Sequence, residues 1–191
     1  SNFQDDLAAV RAVRNRIGDD IDLMCDFNQG LTVNEGIIRG RALDDEGLYW
    51  IEDPIRHDDY AGYGKIAAEI TTPIQTGENL TSIFEMQKAI DAMAAEYYMP
   101  DVQRIGGVTG WLQAASVAHA NSLDMSSHLF PEISAHLLAV TPTCHWLEYM
   151  DWGDAILQEP IKILNGHAQI SETPGCGINW DEEKVKQFLV E

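Results

Sequence analysis

The sequence predicts an α/β fold of the (β/α)8 barrel type, and three observations predict it. Short apolar runs alternate with helical patterns along the whole chain. Each of six such runs ends in an acid or a histidine: Asp26, Glu52 and Glu78 recur every 26 residues, and Asp101, His128 and Glu148 follow at steps of 23, 27 and 20. The 191 residues, 45% of them apolar, suffice for one domain with a sizeable core. Strand and helix in alternation mean βαβ units and a parallel sheet. In a barrel the strand C-termini form one ring at the top face, where sites are built. A doubly wound open sheet is the alternative, but it gathers ligands at one switch point and does not need six polar strand ends.

The elements follow in order. An amphipathic, charged segment over residues 1–14 comes first. The strand runs are 21–28 (IDLMCDFN), 48–54 (LYWIEDP), 73–79 (PIQTGEN), 97–102 (YYMPDV), 125–128 (MSSH) and 145–150 (HWLEYM). Helical patterns fill 32–47, 58–70, 81–96, 108–122 and 131–140. Thr32, Thr81 and Thr109 suit N-caps, Pro131 suits a first helical turn, and Gly47 suits a helix end. In IKILNGHAQI (161–170), Asn165-Gly166 reads as a hairpin turn. Strand periodicity puts Asp26 and Asn28 on one face, with Cys25 and Phe27 opposite. It likewise groups Glu148 with Trp146 and Met150, against Leu147.

Composition narrows the function. The net charge of −19 disfavours nucleic acid, whose phosphates need a basic footprint. No apolar run is long enough to span a membrane, and no secretory signal pattern opens the chain. Cys25, Cys144 and Cys176 have no paired spacing, which points to a reducing compartment, the cytoplasm.

The strand ends carry the chemistry. A single loop acid is more often a solvated group than a ligand, but three at regular strand ends are different. Carboxylates from adjacent strands repel unless a cation joins them. All-oxygen donors suit Mg²⁺, so Asp26, Glu52 and Glu78 read as metal ligands. Asp101 beside His128 would fix the imidazole tautomer and make it a general base. Glu148, if protonated, could donate a hydrogen bond to a developing oxyanion. These parts suit abstraction of the α-proton of a carboxylic acid, with the enediolate held by Mg²⁺ and Glu148.

The remaining histidines have blander readings. His136 and His119 lie in helical patterns, His57 and His167 in loops or turns, and His145 at the lower end of its strand. No H-E-x-x-H zinc signature occurs, and IGGVTG (105–110) lacks the spacing of a dinucleotide loop.

The stretches MPDVQRIGGVTGW (99–111) and MSSHLFPEISAHLLAVTPTCHWLE (125–148), with WIEDP and TGEN, resemble the mandelate racemase subgroup of the enolase superfamily. The resemblance runs from about residue 5 to the C-terminus. It implies barrel strands three to eight, with the N-terminal capping domain and the first two strands absent. It implies Mg²⁺ on Asp26, Glu52 and Glu78, an Asp101–His128 dyad, Glu148 as electrophile, and Asn28 near the substrate's α-substituent. An Asp on the sixth strand and a His on the seventh indicate this subgroup; the muconate-lactonizing subgroup carries a Lys on the sixth. The family's Lys-x-Lys motif, with its opposite-face base, does not occur here, and Tyr149 and other loop differences leave the substrate open. The expected organisation is a partial barrel over 1–159 and a hairpin and helix over 160–191, packing back on the barrel and the absent cap. The implied activity is Mg²⁺-dependent dehydration or racemisation of a 2-hydroxy acid or acid sugar by a homo-oligomer. The alternative is an inactive fragment or metal-binding scaffold without the lysine base.

Overall fold

The computed structural model describes residues 3–190. After α1 (Phe3–Ile17), five strand–helix steps and a sixth strand follow. They are β1 (Leu23–Asp26), α2 (Val33–Leu43), β2 (Leu48–Glu52), α3 (Tyr60–Ala67), β3 (Ile74–Thr76), α4 (Ile83–Asp91), β4 (Tyr97–Tyr98), α5 (Gly107–Ala120), β5 (Asp124–Ser127), α6 (Pro131–Leu138) and β6 (Cys144–Leu147). All six strands are parallel and pair in chain order, β1-β2-β3-β4-β5-β6. A doubly wound sheet would reverse direction at a switch point. This sheet never does, so the fold is a barrel-type α/β arc.

Side chains from alternate strands show that the sheet curls. In a flat sheet β2 and β6, four strands apart, would stand about 19 Å from each other. Instead Tyr49 Oη of β2 lies 2.8 Å from His145 Nε2 of β6. The Tyr97 ring of β4 sits between them, its centroid 5.8 Å from Tyr49 and 4.9 Å from His145. One interior layer fed by alternate strands is the packing of a (β/α)8 barrel.

Two register slips feed that layer. Leu23 pairs with Leu48 but Cys25 with Ile51, so β2 holds one extra residue. Met125 pairs with Cys144 but Ser127 with Leu147, so β6 does too. Each slip lets two successive rings face the interior, Tyr49 with Trp50 and His145 with Trp146. Leu48, Ile51 and Leu147 turn outward to the helices.

The main core lies between the strands' outer faces and the helices. Ile51, Ile74, Tyr98 and Met125 meet Ile66, Met86, Ala89, Trp111 and Ala114 there. Trp111 is fully buried, and its indole N–H donates to Thr141 Oγ1 at 3.1 Å.

Turn chemistry departs from the sequence reading at three places. Thr32 caps α2 as expected, in a reciprocal capping box with Glu35. Ser82, not Thr81, caps α4, because the Thr81 hydroxyl and N–H both go to Glu85 instead. Thr109 lies inside α5, which begins two residues earlier behind Gly106. Gly47 does not end α2, which stops at Leu43 with Asp44 as its cap; at φ +67° it turns the chain into β2. Pro131 opens α6 as expected.

After β6 come a 3₁₀ turn (Asp151–Ile156), a hairpin of β7 (Lys162–Leu164) and β8 (His167–Gln169), and α7 (Glu182–Lys186). His167 is therefore in a strand rather than a loop. Asn165 and Gly166 both have positive φ, 53° and 76°, as a tight two-residue hairpin turn requires. The chain then returns along 156–158: Gln158 N–H donates to Asn179 O and Asp181 N–H to Ile156 O. All three cysteines are free thiols. Among the described residues, no helix is long and apolar enough to cross a membrane.

Candidate active site

Parallel pairing puts the strand ends on one rim. Asp26 and Glu52 are register partners, so two carboxylates stand side by side. Asp26 accepts the Asn28 N–H at 2.7 Å, and the Asn28 side-chain amide also bonds to it. Asn28 therefore sits against Asp26 at the rim. Burial raises the Asp26 carboxyl above its usual range; the Asn28 N–H opposes this, and the charges of Glu78 and Glu148 add to it. Groups from β1, β3 and β6 thus act on one another.

Glu52 is 8% exposed, and its Oε2 accepts from Trp50 Nε1 at 3.1 Å and Gln75 Nε2 at 3.3 Å. Both donors are neutral. Burial first, then the neighbouring Asp26, pushes this carboxyl up to about 8. One interior cavity is lined by Trp50, Glu52, Gln75, Met99, Ser127 and Glu148, which brings the ends of β2 and β6 to one space.

Glu78, in the loop after β3, bridges to the other side of the rim. Its Oε2 is 3.2 Å from His128 Nε2, and its Oε1 accepts from Arg104 Nη1 at 3.1 Å and Asn79 Nδ2 at 2.9 Å. Among the described residues, no three His, Cys, Asp or Glu side chains already surround one point as a metal centre would. Asp26 and Glu52 nevertheless fit a hard divalent cation by chemistry, being adjacent oxygen donors, both with raised affinity for protons.

Asp101 and His128 face each other across a parallel bridge, with His128 Nδ1 2.7 Å from Asp101 Oδ2. Asp101 is 1% exposed, and its Oδ1 accepts the N–H groups of Gln103 at 2.7 Å and Arg104 at 3.1 Å. Burial alone would raise this carboxyl, but the bonds from His128 and the two amides outweigh it and hold it below the usual range. Burial pulls His128 down, and the Asp101 bond with the charges of Glu78 and Glu148 lifts it above the usual imidazole value. With Nδ1 against Asp101, Nε2 is the imidazole atom that faces Glu78. Glu148 Oε2 accepts the Leu129 N–H at 2.7 Å, and the Glu148 N–H donates to Ser127 Oγ at 3.2 Å.

All six strand-end residues therefore lie on one mouth, with the sharpest contact between Asp101 and His128. The sequence reading passed over Arg104, Gln75 and Asp53. Arg104 stands three residues after Asp101 in DVQR, and Asp53 directly follows Glu52 in IEDP; those positions were the available signals.

The architecture agrees with known proteins. A solved Bradyrhizobium enolase, crystallised with magnesium and mandelic acid, superposes with a TM-score of 0.95 at 40% identity, over all of this chain and 53% of that one. L-talarate/galactarate dehydratase of Salmonella typhimurium is 33% identical over 95% of this chain and 46% of its own length. The 3,6-anhydro-α-L-galactonate cycloisomerase of Streptomyces coelicolor is 33% identical over 99% of this chain and 53% of its own length. The chain thus spans about half the length of these curated relatives. The model of one family, enolase C-terminal domain-like, matches residues 1–184, and with six parallel strands curled around one carboxylate-rich mouth the chain belongs to that family.

Proposed function

We propose that the protein abstracts the α-proton of a carboxylic-acid substrate, with His128 as base and Asp26, Glu52 and Glu78 as ligands of Mg²⁺. The observation that carries this reading is the Asp101–His128 pair at 2.7 Å, with Nε2 turned to the carboxylates. Asp101 holds the tautomer and stabilises the imidazolium that forms when Nε2 takes the proton. Bound among the three carboxylates, Mg²⁺ would act as a Lewis acid on the substrate's carboxylate. Glu78 gives up His128 in the reactive state, which frees Nε2 for the substrate. Glu148 stands at the end of β6 to hydrogen-bond the oxygen that gains charge, and Asn28 contacts the substrate beside Asp26.

Dehydration of an acid sugar is favoured over racemisation. It needs one base and an acid for the departing hydroxyl, and His128 can serve both steps; racemisation needs a second base on the opposite face. The names of the dehydratase and cycloisomerase relatives support a sugar-acid substrate. The test is a screen of acid sugars for 2-keto product, run beside polarimetry of the same acid sugars and of aromatic 2-hydroxy acids. Keto product supports dehydration, and lost rotation without product supports racemisation. His128→Asn abolishes either; full turnover in that variant removes the assigned base.

A further inference from the structure

Asp53 directly follows Glu52, yet its side chain serves a different surface. It is 2% exposed and adopts a φ of +35°, a backbone region costly for a residue with a Cβ. Its N–H donates to Gln75 O at 3.0 Å, and its carbonyl accepts the Gln29 N–H at 2.7 Å. Its Oδ1 accepts the Thr76 hydroxyl at 2.6 Å and the Tyr63 hydroxyl at 3.0 Å. Its Oδ2 is buried with no hydrogen-bond partner. A strained backbone and a half-satisfied buried carboxylate are two costs at one residue.

The contacts share a pattern. Gln29 follows Asn28 in the loop after β1, Gln75 and Thr76 end β3, and Tyr63 lies on α3 behind them. Asp53 thereby joins the ends of β1, β2 and β3, the strands that carry Asp26 and Glu52 and lead to Glu78. It is not placed as a ligand itself, because Oδ1 is held by two hydroxyls, one of them on the helix layer.

We propose that Asp53 is a positioning residue, joining the ends of β1, β2 and β3 so that Asp26, Glu52 and Glu78 can share one divalent cation. This rests on the magnesium reading above. Partners behind a ligand set commonly change metal affinity by about 10- to 100-fold when removed.

The test is Mg²⁺ binding by calorimetry, together with melting of the metal-free protein, for wild type, Thr76→Val, Asp53→Ala and Asp53→Asn. Thr76→Val keeps the shape and removes one hydroxyl. Asp53→Asn keeps an Oδ1 acceptor and removes the charge. The expected result is Mg²⁺ binding about 10-fold or more weaker in Thr76→Val and Asp53→Ala, and within about threefold of wild type in Asp53→Asn. Metal-free Thr76→Val melts lower, because a buried carboxylate loses a donor, but stays fully folded at the temperature of the binding measurement, so its loss of Mg²⁺ affinity is not a loss of folded protein. Wild-type affinity in Thr76→Val overturns the proposal, and so does a loss that only tracks the fraction of unfolded protein. An equal loss in Asp53→Asn and Asp53→Ala also overturns it, by assigning the effect to charge. If Asp53→Ala does not fold, Thr76→Val decides alone. A wild type that does not bind Mg²⁺ removes the magnesium reading and this proposal together, whereas unchanged Thr76→Val beside a binding wild type removes only the proposal.

Discussion

At the residue scale, the proposed base, His128, would set the pH dependence. The base must be neutral to take a proton, and Asp101, Glu78 and Glu148 hold the imidazole above its ordinary 6.5 despite burial. Activity should therefore rise with pH through that raised value. Asp101→Asn removes the strongest raising contact, so the limb should move to lower pH while kcat falls about 10²- to 10⁴-fold. A pH profile of kcat/KM checks this, and an unmoved limb would count against the pairing. The same raised value has a sign for stability. His128 contributes stabilisation fully below the unfolded value near 6.5 and loses it as pH rises through the folded value. The sequence located this dyad because two strand ends in successive βαβ units had to be neighbours. It could not place the Glu78 side chain, which is set by Arg104 reaching across from the next loop. Asp53 stayed hidden for another reason: the residue after an inward strand end faces the opposite layer, where its partners are Tyr63 of α3 and Thr76 at the end of β3.

At the element scale, close contacts between helices fix how the outer layer sits. A Cβ on Gly64 of α3 would stand 2.3 Å from the Ala92 carbonyl oxygen at the end of α4, a backbone atom that cannot swing away. Gly64→Ala should cost about 1–3 kcal/mol, read as a lower denaturation midpoint with an unchanged slope. Gly153→Ala is the control, since its nearest neighbours are at 3.7 Å, and it should shift stability by less than about 0.5 kcal/mol. Thr32→Ala should cost about 1 kcal/mol through loss of the α2 capping box. Strand and helix positions were legible because apolar periodicity reports burial directly. The caps were less so: where Thr81 and Ser82 stand together, the choice depends on which one Glu85 engages. The register slips in β2 and β6 were not legible at all, because adjacent rings in YW and HW look like ordinary alternation until the partner strand is known.

At the scale of the whole molecule, the mouth concentrates negative charge that a divalent cation should relieve. Mg²⁺ at about 100 times its dissociation constant should add about 2.7 kcal/mol of stability, seen as a higher melting temperature that a chelator reverses. Glu52→Gln should shrink that gain, and an equal gain in that variant would move the ion elsewhere. Chain-order strand pairing was legible from the spacing, which left no room for a reversal. The direction of curl was not, since it needed three rings 49 to 145 residues along the chain to meet. That meeting has a mechanical consequence. Tyr49, Tyr97 and His145 brace the arch from inside, so β2, β4 and β6 cannot flatten into an open sheet without parting these rings and breaking the Tyr49–His145 hydrogen bond.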